Sequence, residues 1–188
     1  MSRVLLASLS DFDIRALLGA DFCAQNEIVV SSSAAKARRL MMNDGFTLII
    51  VNTPLDDEFG GELALHAAEK TTAGVMFFVK AASYDMAVHK LEPYGVMVMG
   101  KPCSSEYARQ SVRVVLATAN RMQGMKRKTE QLQSRINEIK VIDRSKCVLM
   151  QYLGITEAGA HKYIEKEAMD SRRSRYEVAL EILKTYES

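Results

Sequence analysis

Five short, largely apolar strand-like runs punctuate the first hundred positions. They are "VLLA" (residues 4–7), "EIVV" (27–30), "LIIV" (48–51), "VMFFV" (75–79) and "VMVM" (96–99). None alternates with polar residues, as a strand with one wet face would. Unbroken runs of this length suit strands buried on both faces of a parallel sheet. The segments between them read as helices. Residues 11–20 follow Ser10, an N-cap residue type; 34–44 stop before Gly45; 62–70 follow Gly60-Gly61; Tyr84–Leu91 follows Ser83. A fifth helix should begin near Ser104 or Ser105, after Lys101-Pro102. Five βα units predict an α/β fold: a doubly wound, five-stranded parallel sheet of the flavodoxin-like kind. Sites in such sheets lie at the carboxyl ends of the strands, which singles out Ser8, Asn52, Val79 and Lys101.

The pattern then changes period. From residue 105 to about 151 there is no proline, and the only glycine is Gly124. Val115, Thr118, Met122, Met125, Thr129, Leu132, Ile136 and Ile139 recur at alternating spacings of three and four, a heptad seam. Arg121, Lys126, Arg127, Lys128, Glu130, Gln131, Arg135 and Glu138 flank it. This predicts a long helix with a dimeric coiled coil; a single helix packed on its own domain is the alternative. Thr129 and Gly124 are expected to weaken its middle. Three helical pieces complete the chain. The first runs to Leu153 and stops at Gly154, a C′ glycine. Thr156 caps a second over 157–169, and a turn around 171–174 leads to a third, Arg175–Tyr186. Their expected core is Ile142, Val148, Leu149, Leu153, Ala160, Ile164, Ala168, Val178, Ile182 and Leu183. The reading is therefore tripartite: a sheet domain (1–120), a coiled-coil connector (121–140) and a three-helix domain (141–188).

Composition narrows the function classes. No apolar run approaches the roughly 20 residues that span a bilayer, and the N-terminus shows no signal-peptide cleavage pattern. Cys23, Cys103 and Cys147 lie far apart with no CxxC pair, which argues for a reducing cytoplasm and against a zinc site. His66, His89 and His161 have no metal-ligand spacing, and "ASLSDFD" after the first strand has no glycine for a nucleotide loop. No catalytic triad is legible, and no cofactor or metal is expected. The net charge of +2 conceals an asymmetry: residues 1–120 carry −2 and residues 121–188 carry +4. The C-terminal third is the part suited to a polyanion.

The order of strands, the loop after Asn52 and "GKPCSSEYA" (100–108) make the first 120 residues resemble the receiver domain of bacterial response regulators. That resemblance implies an acidic pair after the first strand, a phosphoaccepting Asp after the third, a hydroxyl after the fourth and Lys-Pro after the fifth. Here the acidic pair falls on Ser8 and Leu9 and the phosphoacceptor on Asn52. The hydroxyl falls on Val79, or on Lys80 with a slip of one. Only Lys101-Pro102 matches, with a cis bond into Pro102 implied by the family. Phosphoryl transfer to a receiver needs a carboxylate nucleophile and magnesium held by hard oxygen ligands. The chain therefore resembles a pseudo-receiver without that reaction, in which Lys101 is free to hydrogen-bond Asn52. Asp11 and Asp13 are read as helix-starting residues, and Asp56 and Asp57 as loop residues, rather than as substitute ligands.

"SKCVLMQYLGITEAGAHKYIEKEAM" (145–169) resembles the ANTAR domain, the RNA-binding module of transcription antitermination regulators. The matching positions are Lys146, Leu149-Met150, Gly154, Thr156-Glu157, Ala160, Tyr163 and Ala168-Met169; Glu165 stands where many members carry Arg. The resemblance implies binding to stem-loops of a nascent transcript that keeps a terminator hairpin from forming. Lys146, His161, Lys162, Tyr163, Lys166, Arg172, Arg173 and Arg175 are the candidate RNA contacts, since loops are held by phosphate contacts and by bases stacked on aromatic or guanidinium planes. His161, Lys162, Tyr163 and Lys166 are expected on roughly one side of their helix. The expected partners are RNA, a second copy joined through Met122, Met125, Leu132, Ile136 and Ile139, and a regulatory protein on the pseudo-receiver; no membrane and no enzymatic activity are expected. A DNA-binding response regulator and a scaffold without nucleic acid are the alternatives.

Overall fold

The computed structural model describes residues 2–9, 13–43 and 45–186, with the backbone alone at Asn43. The expected Ser10 cap and Asp11 lie outside them. Two compact units divide the chain, Met1–Met125 and Lys126–Ser188.

The first unit is built on five parallel strands: β1 (Ser2–Ala7), β2 (Asn26–Ser31), β3 (Leu48–Asn52), β4 (Gly74–Lys80) and β5 (Met97–Lys101). Their order is β2-β1-β3-β4-β5. Strand residues alternate between two cores. Leu5, Ala7, Ile49, Val51, Phe77, Val79 and Val98 pack with residues of α3 (Ala34–Asn43), α4 (Gly61–Lys70) and α5 (Tyr84–Leu91). Val4, Leu6, Leu48, Ile50, Met76, Phe78 and Met99 pack on the other face with Ile14, Leu18, Ala108 and Val112. Burial on both faces is why β1, β3 and β4 read as unbroken apolar runs. The edge strand β2 does not follow that expectation: it has a partner on one side only, and Val30 is 56 % exposed. Each fully buried large side chain here contributes about 1.5–3 kcal/mol of transfer free energy.

The expected helix over 11–20 is replaced by two short ones. α1 (Ile14–Leu18) is capped by the Asp13 carboxylate, which accepts from the Arg15 and Ala16 N–H groups at 2.9 and 3.0 Å. Gly19, at φ 92°, ends it, and α2 (Ala20–Gln25) starts in a new direction. Glycine reaches that conformation without a Cβ penalty.

α6 (Ser105–Leu153) runs unbroken for 49 residues and carries the chain from the first unit into the second, so the connector is the middle of a helix. Its Val115 packs against the sheet domain's core. The apolar seam therefore becomes free only from Met122, and Met122, Met125, Leu132, Ile136 and Ile139 are 46–60 % exposed.

In the second unit the end of α6 packs with α7 (Glu157–Ser171) and α8 (Arg175–Tyr186) around Val148, Leu149, Ala160, Ile164, Ala168, Val178 and Ile182. Leu153, expected in this core, is exposed; Ile155 and Tyr186 pack at its edge instead. Gly154 (φ 64°) closes α6, and the Thr156 hydroxyl accepts from the Gly159 N–H at 3.2 Å to open α7. α8 opens with a capping box: Ser174 Oγ accepts from the Glu177 N–H, and the Glu177 carboxylate accepts from the Ser174 N–H at 2.8 Å.

Candidate functional site

At the carboxyl end of the sheet the alternation decides which side chains meet. Ser8, Asn52, Lys80 and Lys101 continue the parity of Leu6, Ile50, Phe78 and Met99, and so share the α1/α6 face. Val79 has the opposite parity and is fully buried in the other core. The fourth-strand position at this site is therefore Lys80, paired in register with Lys101. Of the two positions the sequence leaves open, counting by twos from Phe78 in "FFVK" selects this one.

Five residues at the carboxyl ends of β1, β3 and β5 form a hydrogen-bonded chain. Lys101 Nζ donates to Asn52 Oδ1 at 2.8 Å and to the Thr53 carbonyl at 2.7 Å. Asn52 Nδ2 donates to Ser8 Oγ at 3.0 Å, and Ser8 Oγ donates to the Leu9 carbonyl at 2.8 Å. Each polar end of the amide is thus matched, one to an ammonium and one to a hydroxyl. Leu9 enters through its carbonyl, while its side chain is exposed. Burial, and next the charge of Lys80, push the Lys101 ammonium below its usual range; Cys103 opposes them weakly. The bond into Pro102 is cis, and so is that into Pro54.

A receiver fold implies magnesium at this position. The donors here are an amide, a hydroxyl and two ammonium groups, which do not match a hard dication that takes carboxylate oxygens. The acids of the neighbouring loop face elsewhere. Asp57 accepts from the Ala34 and Ala35 N–H groups at 2.7 and 2.9 Å, capping α3 from 23 residues away, and those bonds hold its carboxyl below the usual range. Glu58 pairs with Arg38 of α3 at 2.7 Å and accepts from the Leu63 N–H at 3.0 Å. Among the described residues no cluster of three metal-binding side chains occurs.

The helical unit sorts its cations into two groups. Lys146 is clamped between Asp143 (2.8 Å) and Glu157 (2.9 Å), with its side chain only 15 % exposed; both carboxylates push its pKa up. It joins α6 to the start of α7 rather than facing solvent. Glu165 gathers His161 and Arg175, each at 3.3 Å, and Arg173 pairs with Glu181. Lys162, Lys166 and Arg172 are exposed and make no such pair among the described residues. At 100° per residue, Lys162 and Lys166 stand opposite the core stripe of Ala160, Ile164 and Ala168, with Tyr163 60° from Lys166. His161 lies on the far flank, about 160° from Tyr163, so the four do not share one side. Tyr163 is 45 % exposed and outside the core.

Arg172 ends α7 in the left-handed region at φ 54°. Its N–H donates to the Met169 carbonyl and that of Arg173 to the Ala168 carbonyl, a Schellman pattern whose C′ position ordinarily holds glycine. An arginine there stores roughly 1–2 kcal/mol of backbone strain.

Residues 130–183 match the family model of the ANTAR domain. The chain is 33% identical over 142 residues to the aliphatic amidase regulator of Pseudomonas aeruginosa, covering 73% of this chain and 68% of that protein. The chain belongs to the ANTAR-domain transcription antitermination regulators. Another member of similar arrangement, the transcriptional regulatory protein PdtaR of Mycobacterium tuberculosis, is 22% identical over 138 residues, covering 73% of this chain and 67% of that one. The sheet of this ANTAR regulator is that of a receiver. The signal receiver domain of a LuxO repressor protein from Vibrio parahaemolyticus superposes with a TM-score of 0.55 at 22% identity, covering 66% of this chain and 96% of that one. No helix among the described residues is long and apolar enough to cross a membrane.

Proposed function

We propose that this ANTAR regulator binds RNA stem-loops through the outer face of α7 and the turn that follows it. Lys162, Lys166 and Arg172 contact phosphates, and Tyr163 stacks on a splayed loop base. Arg173 and Arg175 stand beside this face in exposed pairs, worth under about 1 kcal/mol each, and exchange carboxylate for phosphate at little cost; His161, on the far flank, is not a contact. The reading rests on one observation: three unpaired cations and an exposed tyrosine sit together on the module that places the chain in its family. Binding of the nascent transcript would keep a terminator hairpin from forming. Two copies pair through the seam of Met122, Met125, Leu132, Ile136 and Ile139, so that two stem-loops are held at once. The receiver-like domain takes no phosphoryl group. Asn52 has no nucleophilic oxygen and is held by Lys101, and a regulatory protein contacting this domain supplies the signal instead.

A gel-shift titration of a looped RNA against duplex DNA of equal length, repeated from low to physiological salt, tests the binding assignment. The RNA should bind more tightly at every salt concentration, with log affinity falling linearly with log salt. Equal binding of both nucleic acids, or of neither, would overturn it.

A further inference from the structure

The break at Gly19 opens a cleft that the phosphoacceptor site does not use. α2 turns away from α1 and leaves a hollow of about 610 Å³ against the first turns of α6. Its apolar lining is Leu18, Phe22, Val112 and Leu116, and Gln25 and Asn26 are its polar neighbours. Its rim is cationic. Arg109 and Arg113 lie one helical turn apart on α6, and Asp21 is the single rim carboxylate. A Cβ built on Gly19 would stand 4.0 Å from Arg109 Nη1, so this guanidinium lies over the break itself. Neither arginine makes an ion pair or hydrogen bond among the described residues, and Asp21 is not paired with them.

Like charges at i, i+4 repel each other across a helix face. Here they do so without a carboxylate partner, above an apolar floor of the size that holds small molecules. We infer that this cleft binds a small organic anion, a carboxylate or sulfonate carrying an apolar body. The two guanidiniums grip the anionic group, by a fork geometry that suits planar oxyanions. The apolar body displaces water from Phe22 and Leu116. Such a ligand would tie α2 to the root of α6.

The test uses the full chain and 8-anilinonaphthalene-1-sulfonate, whose fluorescence rises when its rings leave water. One saturable site per chain is expected, and N-phenyl-1-naphthylamine, which has the same rings without the sulfonate, should bind at least about tenfold more weakly. Arg109→Gln with Arg113→Gln should weaken the sulfonate by about tenfold or more and leave the neutral compound unchanged. Both side chains are exposed, so unchanged thermal unfolding and unchanged RNA affinity should accompany that loss. Asp21→Asn should tighten sulfonate binding severalfold by removing the opposing charge. No saturable site, equal binding of the two compounds, or sulfonate binding indifferent to the arginine changes would each overturn the inference. Because RNA binding is read on the same variants, failure here is distinct from failure of the RNA assignment.

Discussion

Lys101 and Lys162 carry the same ammonium group and are put to opposite uses. In the sheet domain Lys101 is half-buried and spent on Asn52 and the Thr53 carbonyl, and the chain of bonds continues through Ser8. In the helical unit Lys162 stands in water beside Lys166 and Arg172, with no acidic partner among the described residues. The first arrangement satisfies polar groups where leaving one unpaired costs about 1–3 kcal/mol. The second leaves cations hydrated, ready to exchange counterions with a polyanion. The fold of a receiver can thus be retained with its strand-end polar groups turned inward, while the helical unit keeps a cationic surface that spends little on internal bonding.

The comparison supposes that the helical unit holds its shape with its own small core. Leu149→Ala is the strongest way to break it. Leu149 is fully buried, and its truncation should cost about 2–5 kcal/mol, seen as an early unfolding transition by calorimetry. A change below about 1 kcal/mol would mean that the core lies elsewhere.

Neutralising Lys162, Lys166 and Arg172 together should weaken RNA binding roughly fiftyfold near 0.15 M salt, from counterion release alone. The slope of log affinity against log salt should flatten by roughly 2, since each lost contact on a single strand removes about 0.7. Neutralising the paired Arg173 and Arg175 should do less on the same gel-shift titration. Equal losses from the two sets would erase the distinction between free and paired cations.

Arg172→Gly sharpens the same contrast at one residue. Removing the strained left-handed arginine should raise stability by about 1 kcal/mol in denaturant titrations, yet lower RNA affinity. A variant that is both more stable and tighter-binding would show that Arg172 faces no phosphate.

Asn52→Asp restores the nucleophile alone. Incubated with a small-molecule phosphodonor and magnesium, neither it nor the parent should gain mass, because Ser8, Leu9 and Lys80 still offer no second carboxylate. A stoichiometric, hydroxylamine-sensitive adduct on the parent would show that the inward-turned site still reacts.

Much of this architecture is legible in the sequence. β1, β3 and β4 announce themselves because burial on both faces leaves no polar alternation to blur them. The Asn52–Lys101 contact follows from strand-end position, and α8 begins at the expected residue. Other features were written locally but passed over. Gly19 interrupts the first helix, Ser174 and Glu177 spell a capping box, and Asp143 stands one turn before Lys146. The family alignment leaves Val79 and Lys80 open at the fourth strand, and alternation from Phe78 selects Lys80. A third group has no local signature. Nothing near Asp57 says that it caps α3, and nothing near Glu157 or Glu181 says which cation each will hold, because those pairings exist only once distant segments pack. The same holds for the cleft beside Arg109, which needs both the break at Gly19 and the apposition of α6.

The Asp57 cap carries one more consequence, an acid weakness at the edge of the sheet domain. Its carboxyl is held below the ordinary range by the Ala34 and Ala35 N–H groups, so the folded chain takes up this proton at lower pH than the unfolded chain does. The stabilisation is complete above the unfolded carboxyl's value of about 4. It drains away as the pH falls from there through the depressed folded value. Protonation takes acceptor strength from the two amides that begin α3, so this helix should be the first to fray in acid. The protection factors of the Ala34 and Ala35 amides, measured against the intrinsic exchange rate at each pH, should fall before those of the central strands as the pH is lowered from 6. In Asp57→Ala the same amides should show low protection at every pH.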